Sequence, residues 1–290
     1  MYFVTAADTQ FFKSVVNVIA LIQHYHGDAI KKIAVFDLGF TPDERAFLNS
    51  LVKVTVYDVE MVHPDLLTLF VVRSNGKIAR GWYAWKPVII KQALDMFPSI
   101  IYMDAGVTLT GPLDKIFEHI ERIGYFFISA DSSLRPHIVR RVKEFFDLDD
   151  PQKTYILDQG GIAAGFQGVS QQIYKEYVLP LYELAHHLEY FVDDGSAHLG
   201  FGNGRHDQTI ASIYVNILGY QIHKINQNAL HYLHSAAGLY PFYLGDYVSF
   251  WQYINLESHK KYLRFKPFVT KKISHGKTIK KKIKRRVKKK

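Results

Sequence analysis

The sequence predicts an α/β fold, a mostly parallel sheet flanked by helices, with a small aromatic-rich C-terminal part and a basic tail. Three observations lead there. Short apolar runs alternate with helical patterns along the N-terminal half, the order expected of βαβ units and a parallel sheet. Several of those runs pass straight into an aspartate, at the place where open α/β sheets bind ligands. The chain has 290 residues, 48% of them hydrophobic, which is enough for one substantial core, or for one core and a small subdomain.

Tyr2-Phe3-Val4-Thr5 reads as a short buried strand, Ala6-Ala7-Asp8 as the turn after it, and Phe11 to Tyr25 as a helix by its apolar spacing. Ile33-Ala34-Val35-Phe36 is a second strand that ends in Asp37-Leu38-Gly39. Thr41-Pro42-Asp43-Glu44 combines a cap residue, proline in the first helical position and glutamate three after the cap, so a helix starts there. Val54 to Tyr57 is a third strand. Trp82-Tyr83-Ala84-Trp85-Lys86-Pro87 leads into a helix with Ile89, Ile90, Ala93, Leu94 and Phe97 on one face, stopped by Pro98-Ser99. Ile100 to Met103 is a strand running into Asp104-Ala105-Gly106, and Tyr125 to Ser129 is another. Gly160 and Gly161 read either as a backbone approach to a ligand or as a tight turn. Ser170 to His187 reads as a helix, Gly195 to Gly204 as a loop, His206 to Leu218 as a helix and Leu230 to His234 as a strand. Residues 1–268 form the globular body and 269–290 the tail.

The net charge of +9 misleads as an average. Lys271 to Lys290 holds ten Lys and two Arg without an acidic residue, which leaves 24 of the 36 basic side chains against all 27 acidic ones in the other 270 residues. A mildly acidic body argues against nucleic-acid binding. The tail suits an anionic membrane surface, where each engaged Lys or Arg contributes on the order of 1 kcal/mol. Cysteine is absent, which excludes disulfides, thiolate catalysis and cysteine-bound zinc and agrees with a reducing compartment. No run reaches the ~18 apolar residues of a membrane span, and no basic stretch followed by an apolar one opens the sequence. The expected location is cytoplasmic, peripheral on the inner face of a membrane.

The order of motifs resembles a known family. A Thr-Ala-Ala-Asp turn follows the first strand; Trp-x-x-Lys-Pro and a strand ending in Asp-Ala-Gly come next; Gly-Gly-Ile-x-x-Gly-Phe and His-Asp-Gln-Thr follow. This is similar to the nucleotide-diphospho-sugar transferases of GT-A type, in particular the glycogenin and lipopolysaccharide-galactosyltransferase group, over roughly Tyr2 to Gly238. The resemblance implies a Rossmann-like GT-A fold and transfer of a sugar, from a UDP-sugar by preference, to a glycan or lipid-linked acceptor. It implies that Thr5, Ala6 and Asp8 form the base pocket, with Asp37 near the base or ribose. Lys86 falls near the diphosphate, and Asp104, Ala105 and Gly106 fall on the Asp-x-Asp motif. Gly160 and Gly161 lie beneath the transferred sugar, and Asp207 and Gln208 lie near sugar and acceptor. Asp104 and His234 are the implied ligands of Mn²⁺ or Mg²⁺.

Gly106 stands where that motif has its second Asp, which leaves metal dependence open: Lys86 and backbone N–H groups are the alternative neutralisers of the leaving group. Sugar transfer builds negative charge on the departing diphosphate, which cations stabilise. Inversion at the anomeric carbon requires a carboxylate base, for which Asp207 is the first candidate and Asp158 the second; retention does not. Two other readings stand beside the transferase. One is a catalytically inactive GT-A-fold binding protein. The other is a sugar-nucleotide pyrophosphorylase, against which the lack of Gly and Arg between Thr5 and Phe12 argues.

Overall fold

The computed structural model describes residues 1–71, 78–109, 111–131, 133–223 and 230–232. Its central sheet holds β1 (Tyr2–Ala7), β2 (Lys32–Asp37), β3 (Val54–Asp58), β6 (Ser99–Met103), β8 (Tyr125–Asp131), β9 (Gly161–Ser170) and β10 (Ile222–His223), in the order β10-β8-β9-β6-β1-β2-β3. Six strands run one way and β9 alone runs against them. Two small ribbons complete the strands: β4 (Leu69–Val71) with β5 (Ile78–Arg80), and β7 (Val107–Leu109) with β11 (Leu230–Tyr232).

Successive residues of the strands face opposite layers, as a period of two requires. Phe3, Ile33, Val35, Ile101 and Met103 pack with α1 (Phe12–His26), α2 (Pro42–Asn49) and α4 (Asp114–Ile123). Val4, Ala34, Phe36, Ile100 and Tyr102 pack with α3 (Trp85–Met96), α5 (Arg140–Phe145), α6 (Leu179–Leu184) and α7 (His206–Ile217). The result is three layers with both faces of the sheet covered, which is why its strands read as continuous apolar runs.

The helix start at Thr41 is a complete capping box. The Thr41 hydroxyl accepts from the Glu44 N–H at 3.3 Å, and the Glu44 carboxylate accepts from the Thr41 N–H at 2.9 Å. Helix α4, not among the elements read above although Ile116, Phe117, Ile120 and Ile123 keep helical spacing, ends on Gly124 at φ +94°, a left-handed C-cap that glycine takes without a Cβ penalty.

Two expectations change. Gly161 opens a ten-residue strand, buried throughout, where the sequence offers a ligand approach or a tight turn; that strand, β9, is antiparallel to β6 and β8 in the otherwise parallel sheet. The helix expected from Ser170 to His187 breaks into a 3₁₀ turn (Gln171–Ile173), a π turn (Tyr174–Val178) and the short α6. Pro180 cannot donate to the Glu176 carbonyl, and its ring crowds that carbonyl, so the turn before it widens. The Leu179 N–H reaches back to the Tyr174 carbonyl instead. His234, the aromatic-rich C-terminal part and the boundary at 268 lie outside the described residues. Among the described residues no helix is long and apolar enough to cross a membrane.

Candidate active site

The register of the parallel strands puts Asp8, Asp37 and Asp104 at one edge. Ala7 pairs with Asp37, and Val4 pairs with Tyr102, two residues before Asp104. After β6 the chain turns tightly: the Asp104 N–H donates to the Gly165 carbonyl at 2.8 Å, and the Val107 N–H to the Asp104 carbonyl at 2.9 Å. Asp104-Ala105-Gly106 is thus the turn between β6 and β7.

Helix α3 delivers Lys86 to this turn. Its ammonium lies 3.2 Å from Asp104 Oδ1 and 3.0 Å from Asp207 Oδ2. The Lys86 and Asp207 side chains are 6% and 10% exposed, and that of Asp104 is 30%. The rings of Tyr83, Trp85 and Tyr102 stand 5.8, 5.8 and 5.6 Å from the ammonium, within the range of cation–π attraction. The Tyr102 hydroxyl donates to Asp104 Oδ1. Burial pulls the Lys86 pKa down, but the two carboxylates outweigh it and the net shift is upward. Burial pushes Asp207 up, Lys86 opposes that, and Asp104 adds to it; the net direction is up. Lys86 is therefore a fixed cation that holds two carboxylates together.

A second ion pair joins Asp8 to Arg80, which the sequence did not single out. Arg80 Nη2 sits 2.7 Å from Asp8 Oδ2, and Nη1 donates to the Leu67 carbonyl at 2.8 Å. The other Asp8 oxygen accepts from the Phe11 N–H at 3.2 Å. Arg80 lies 72 residues away at the end of β5, so only the fold relates them. Asp37 accepts from the N–H groups of Gly39 and Phe40 at 2.8 and 2.7 Å and pairs with Arg45 at 3.0 Å. That makes it a turn-forming residue as well as an edge carboxylate.

The other expected residues divide. Thr5 and Ala6 are buried inside β1. Gln208 and Asp207 occupy the first turn of α7. Through Ser212 that helix grips β9: the Ser212 hydroxyl accepts from the Ile162 N–H at 2.9 Å and donates to the Gln208 carbonyl at 2.6 Å. The Gly160 carbonyl accepts from the Asn216 side chain at 3.1 Å. Asp158 is placed apart from the Lys86 group. Its carboxylate is 65% exposed and takes two bonds from Arg135, at 2.9 and 2.8 Å.

For a divalent cation, Asp104 suits the part of a ligand. It stays partly exposed, and it shares one ammonium with a second carboxylate, so the trio keeps one net negative charge. Among the described residues no three His, Asp or Glu side chains gather into a metal cluster. Strand β11 pairs with β7 immediately after the Asp104 turn, Tyr232 opposite Val107; His234 lies outside the described residues.

Next to the ion cluster the backbone is strained. Trp82, Tyr83 and His206 have φ of 48°, 64° and 48°, a region bulky L-residues seldom enter. Gly81 precedes them at φ +49°, where an added Cβ would stand 1.7 Å from the Leu66 carbonyl oxygen. The Trp82 ring stacks on Phe70 at 5.4 Å, and Trp82 and Tyr83 face the His206 ring at 5.4 and 5.3 Å.

No protein-family model matches the chain, and no curated protein matches it in sequence. Solved structures do. The chain is similar to core-mannan synthase A (CmsA/Ktr4) from Aspergillus fumigatus in its Mn/GDP form, with a TM-score of 0.50 at 9% identity, covering 80% of this chain and 74% of that one. It is also similar to mouse xyloside xylosyltransferase 1 in apo form, with a TM-score of 0.46 at 15% identity over 77% and 84% of the two chains. An active-site mutant of LgtC gives a TM-score of 0.46 at 12% identity over 90% and 98%. At these identities the likeness concerns the path of the backbone alone, and that path is the GT-A glycosyltransferase fold.

Proposed function

We propose that this chain is a glycosyltransferase that moves a sugar from a nucleotide-diphosphate sugar to a glycan or lipid-linked acceptor. The observation that carries the reading is the buried Lys86 between Asp104 and Asp207 at the carboxyl edge of the sheet. Burying an ammonium with two carboxylates carries a desolvation cost that pairing and hydrogen bonds must offset, and such groups gather at functional sites. In transfer, the bond from the anomeric carbon to the diphosphate oxygen breaks, its electron pair leaves with the phosphate, and the acceptor oxygen bonds to that carbon and gives up its proton. Asp207 serves as the base if configuration inverts: burial raises its basicity while Lys86 keeps it paired as the anion. If configuration is retained, Asp207 orients the sugar.

The trio's negative charge facing a diphosphate calls for a counter-cation. A Mn²⁺ or Mg²⁺ held by Asp104 and, by the resemblance, His234 would neutralise the leaving group when bound. UDP is the preferred nucleotide on the resemblance; the A. fumigatus neighbour carries GDP, so both belong in the test. The twelve basic residues of the tail support a peripheral location on an anionic inner membrane face.

The test is hydrolysis of a panel of UDP- and GDP-sugars with and without Mn²⁺, beside calorimetry with UDP and GDP. Turnover of at least one donor is expected. Heat on nucleotide binding with no turnover of any donor would favour the inactive binding protein, for which Gly106 at the second Asp position speaks. No heat and no turnover would refute both.

A further inference from the structure

The strained turn and α7 together build a hydrogen-bond acceptor that the proposed reaction has not used. His206 Nδ1 lies 2.7 Å from the Phe191 carbonyl oxygen. A carbonyl only accepts, so Nδ1 carries the proton and Nε2 presents a lone pair. No hydrogen bond holds Nε2 among the described residues, and it is not among the buried atoms without a partner, so it remains open to a ligand. The ring cannot turn away. Trp82 and Tyr83 press on it, and its own backbone sits at φ +48°, so three of the five non-glycine positive-φ residues among the described residues meet at this ring. Strain of this kind persists where surrounding structure enforces it, and it concentrates at ligand sites. Burial lowers the His206 pKa; the Phe191 carbonyl, Asp207 and Asp193 oppose that, and Lys86 adds to it. The ring is thus neutral near pH 7.

We infer that His206 Nε2 accepts a hydrogen bond from a pyranose hydroxyl beside Asp207, with Trp82 and Tyr83 as positioning residues that hold the imidazole. The ligand class, a neutral sugar ring, rests on the transferase reading; the presence of an oriented acceptor does not. The sugar is that of the donor or that of the acceptor, and the two sources share this chemistry.

Two amide variants separate the ring nitrogens. His206→Asn places its amide near Nδ1, can still donate to the Phe191 carbonyl, and takes a left-handed backbone readily. His206→Gln reaches the Nε2 position and loses the Phe191 bond. Binding is read by calorimetry for UDP-glucose against UDP and for GDP-mannose against GDP, and by saturation-transfer NMR for methyl gluco-, galacto- and mannopyranosides. His206→Asn should keep its melting temperature within about 3 °C yet bind the sugar roughly tenfold more weakly. His206→Gln should melt lower and bind the sugar better than His206→Asn does. Loss of the increment from nucleotide to nucleotide sugar assigns the donor; loss of the methyl pyranoside signal assigns the acceptor. Sugar binding that is unchanged in His206→Asn, or weaker in His206→Gln than in His206→Asn, overturns the inference, as does a wild-type chain that binds no sugar in either arm. Missing nucleotide heat alone counts against the transferase reading instead, because the pyranoside arm needs no nucleotide.

Discussion

Replacing Lys86 by Met keeps the length of the side chain and removes its charge. The ammonium stands 3.0 Å from Asp207 and 3.2 Å from Asp104. At an effective dielectric of about 20, each pair is worth about 5 kcal/mol of Coulomb attraction. The Asp104 share is discounted, because that side chain is 30% exposed and water screens it. Burial of the ammonium itself offsets part of the remainder. Removing one partner of a buried pair costs about 3–5 kcal/mol, because the charges left behind are uncompensated; here they are two carboxylates that also repel each other. For a body of this size that corresponds to a loss of roughly 6–20 °C in melting temperature. Differential scanning calorimetry on wild type, Lys86→Met and Lys86→Met/Asp207→Asn measures it. The double variant no longer buries an unpaired charge at 207 and should recover at least half the loss. A single variant within about 1 kcal/mol of wild type, or a double variant no more stable than the single one, would refute the argument that Lys86 holds the two carboxylates.

Asp207→Asn should lower donor turnover at least tenfold, about 1.4 kcal/mol of barrier. Asp158→Asn, which disturbs only an exposed pair with Arg135, should stay within about threefold in turnover and about 1 kcal/mol in stability; a large drop in its turnover would return Asp158 to the reaction. The folded-state pKa of Lys86 is raised above its ordinary 10.5, so its stabilisation is fully present below that value and is lost as pH rises through the folded pKa. Melting temperatures taken from pH 9 upward should therefore fall more steeply for wild type than for Lys86→Met/Asp207→Asn, and parallel curves would contradict the sign. The full chain should sediment with anionic liposomes at low salt and release near ~0.5 M, where screening shortens to a few ångströms. The chain ending at Phe268 should stay in the supernatant and keep its activity; equal sedimentation would remove the tail's membrane role.

What could be read in the sequence was local. Strands β1, β2, β3 and β6 are short runs of apolar residues that any buried parallel sheet demands, and the Thr41 capping box is settled within four residues. Aspartates directly after β1 and β6 and at the end of β2 mark the ligand edge, since parallel pairing brings those ends to one side. The GT-A resemblance rested on the same local signals in their order. Tertiary structure alone decided the rest. Whether Gly160-Gly161 is a loop or the entry to a strand depends on which neighbours β9 pairs with, and pairing direction leaves no trace in an apolar run. The break at Pro180 is the exception in being local, since the missing N–H is visible in the sequence although the apolar spacing runs through it. Arg80 meets Asp8 across 72 residues, and His206 meets Trp82 and Tyr83 across more than a hundred. Above all, Lys86 looks the same in sequence whether it reaches into solvent or is buried. Its burial between Asp104 and Asp207 follows from α3, β6 and α7 converging on one point, so its charge state, its partners and its role come from that packing.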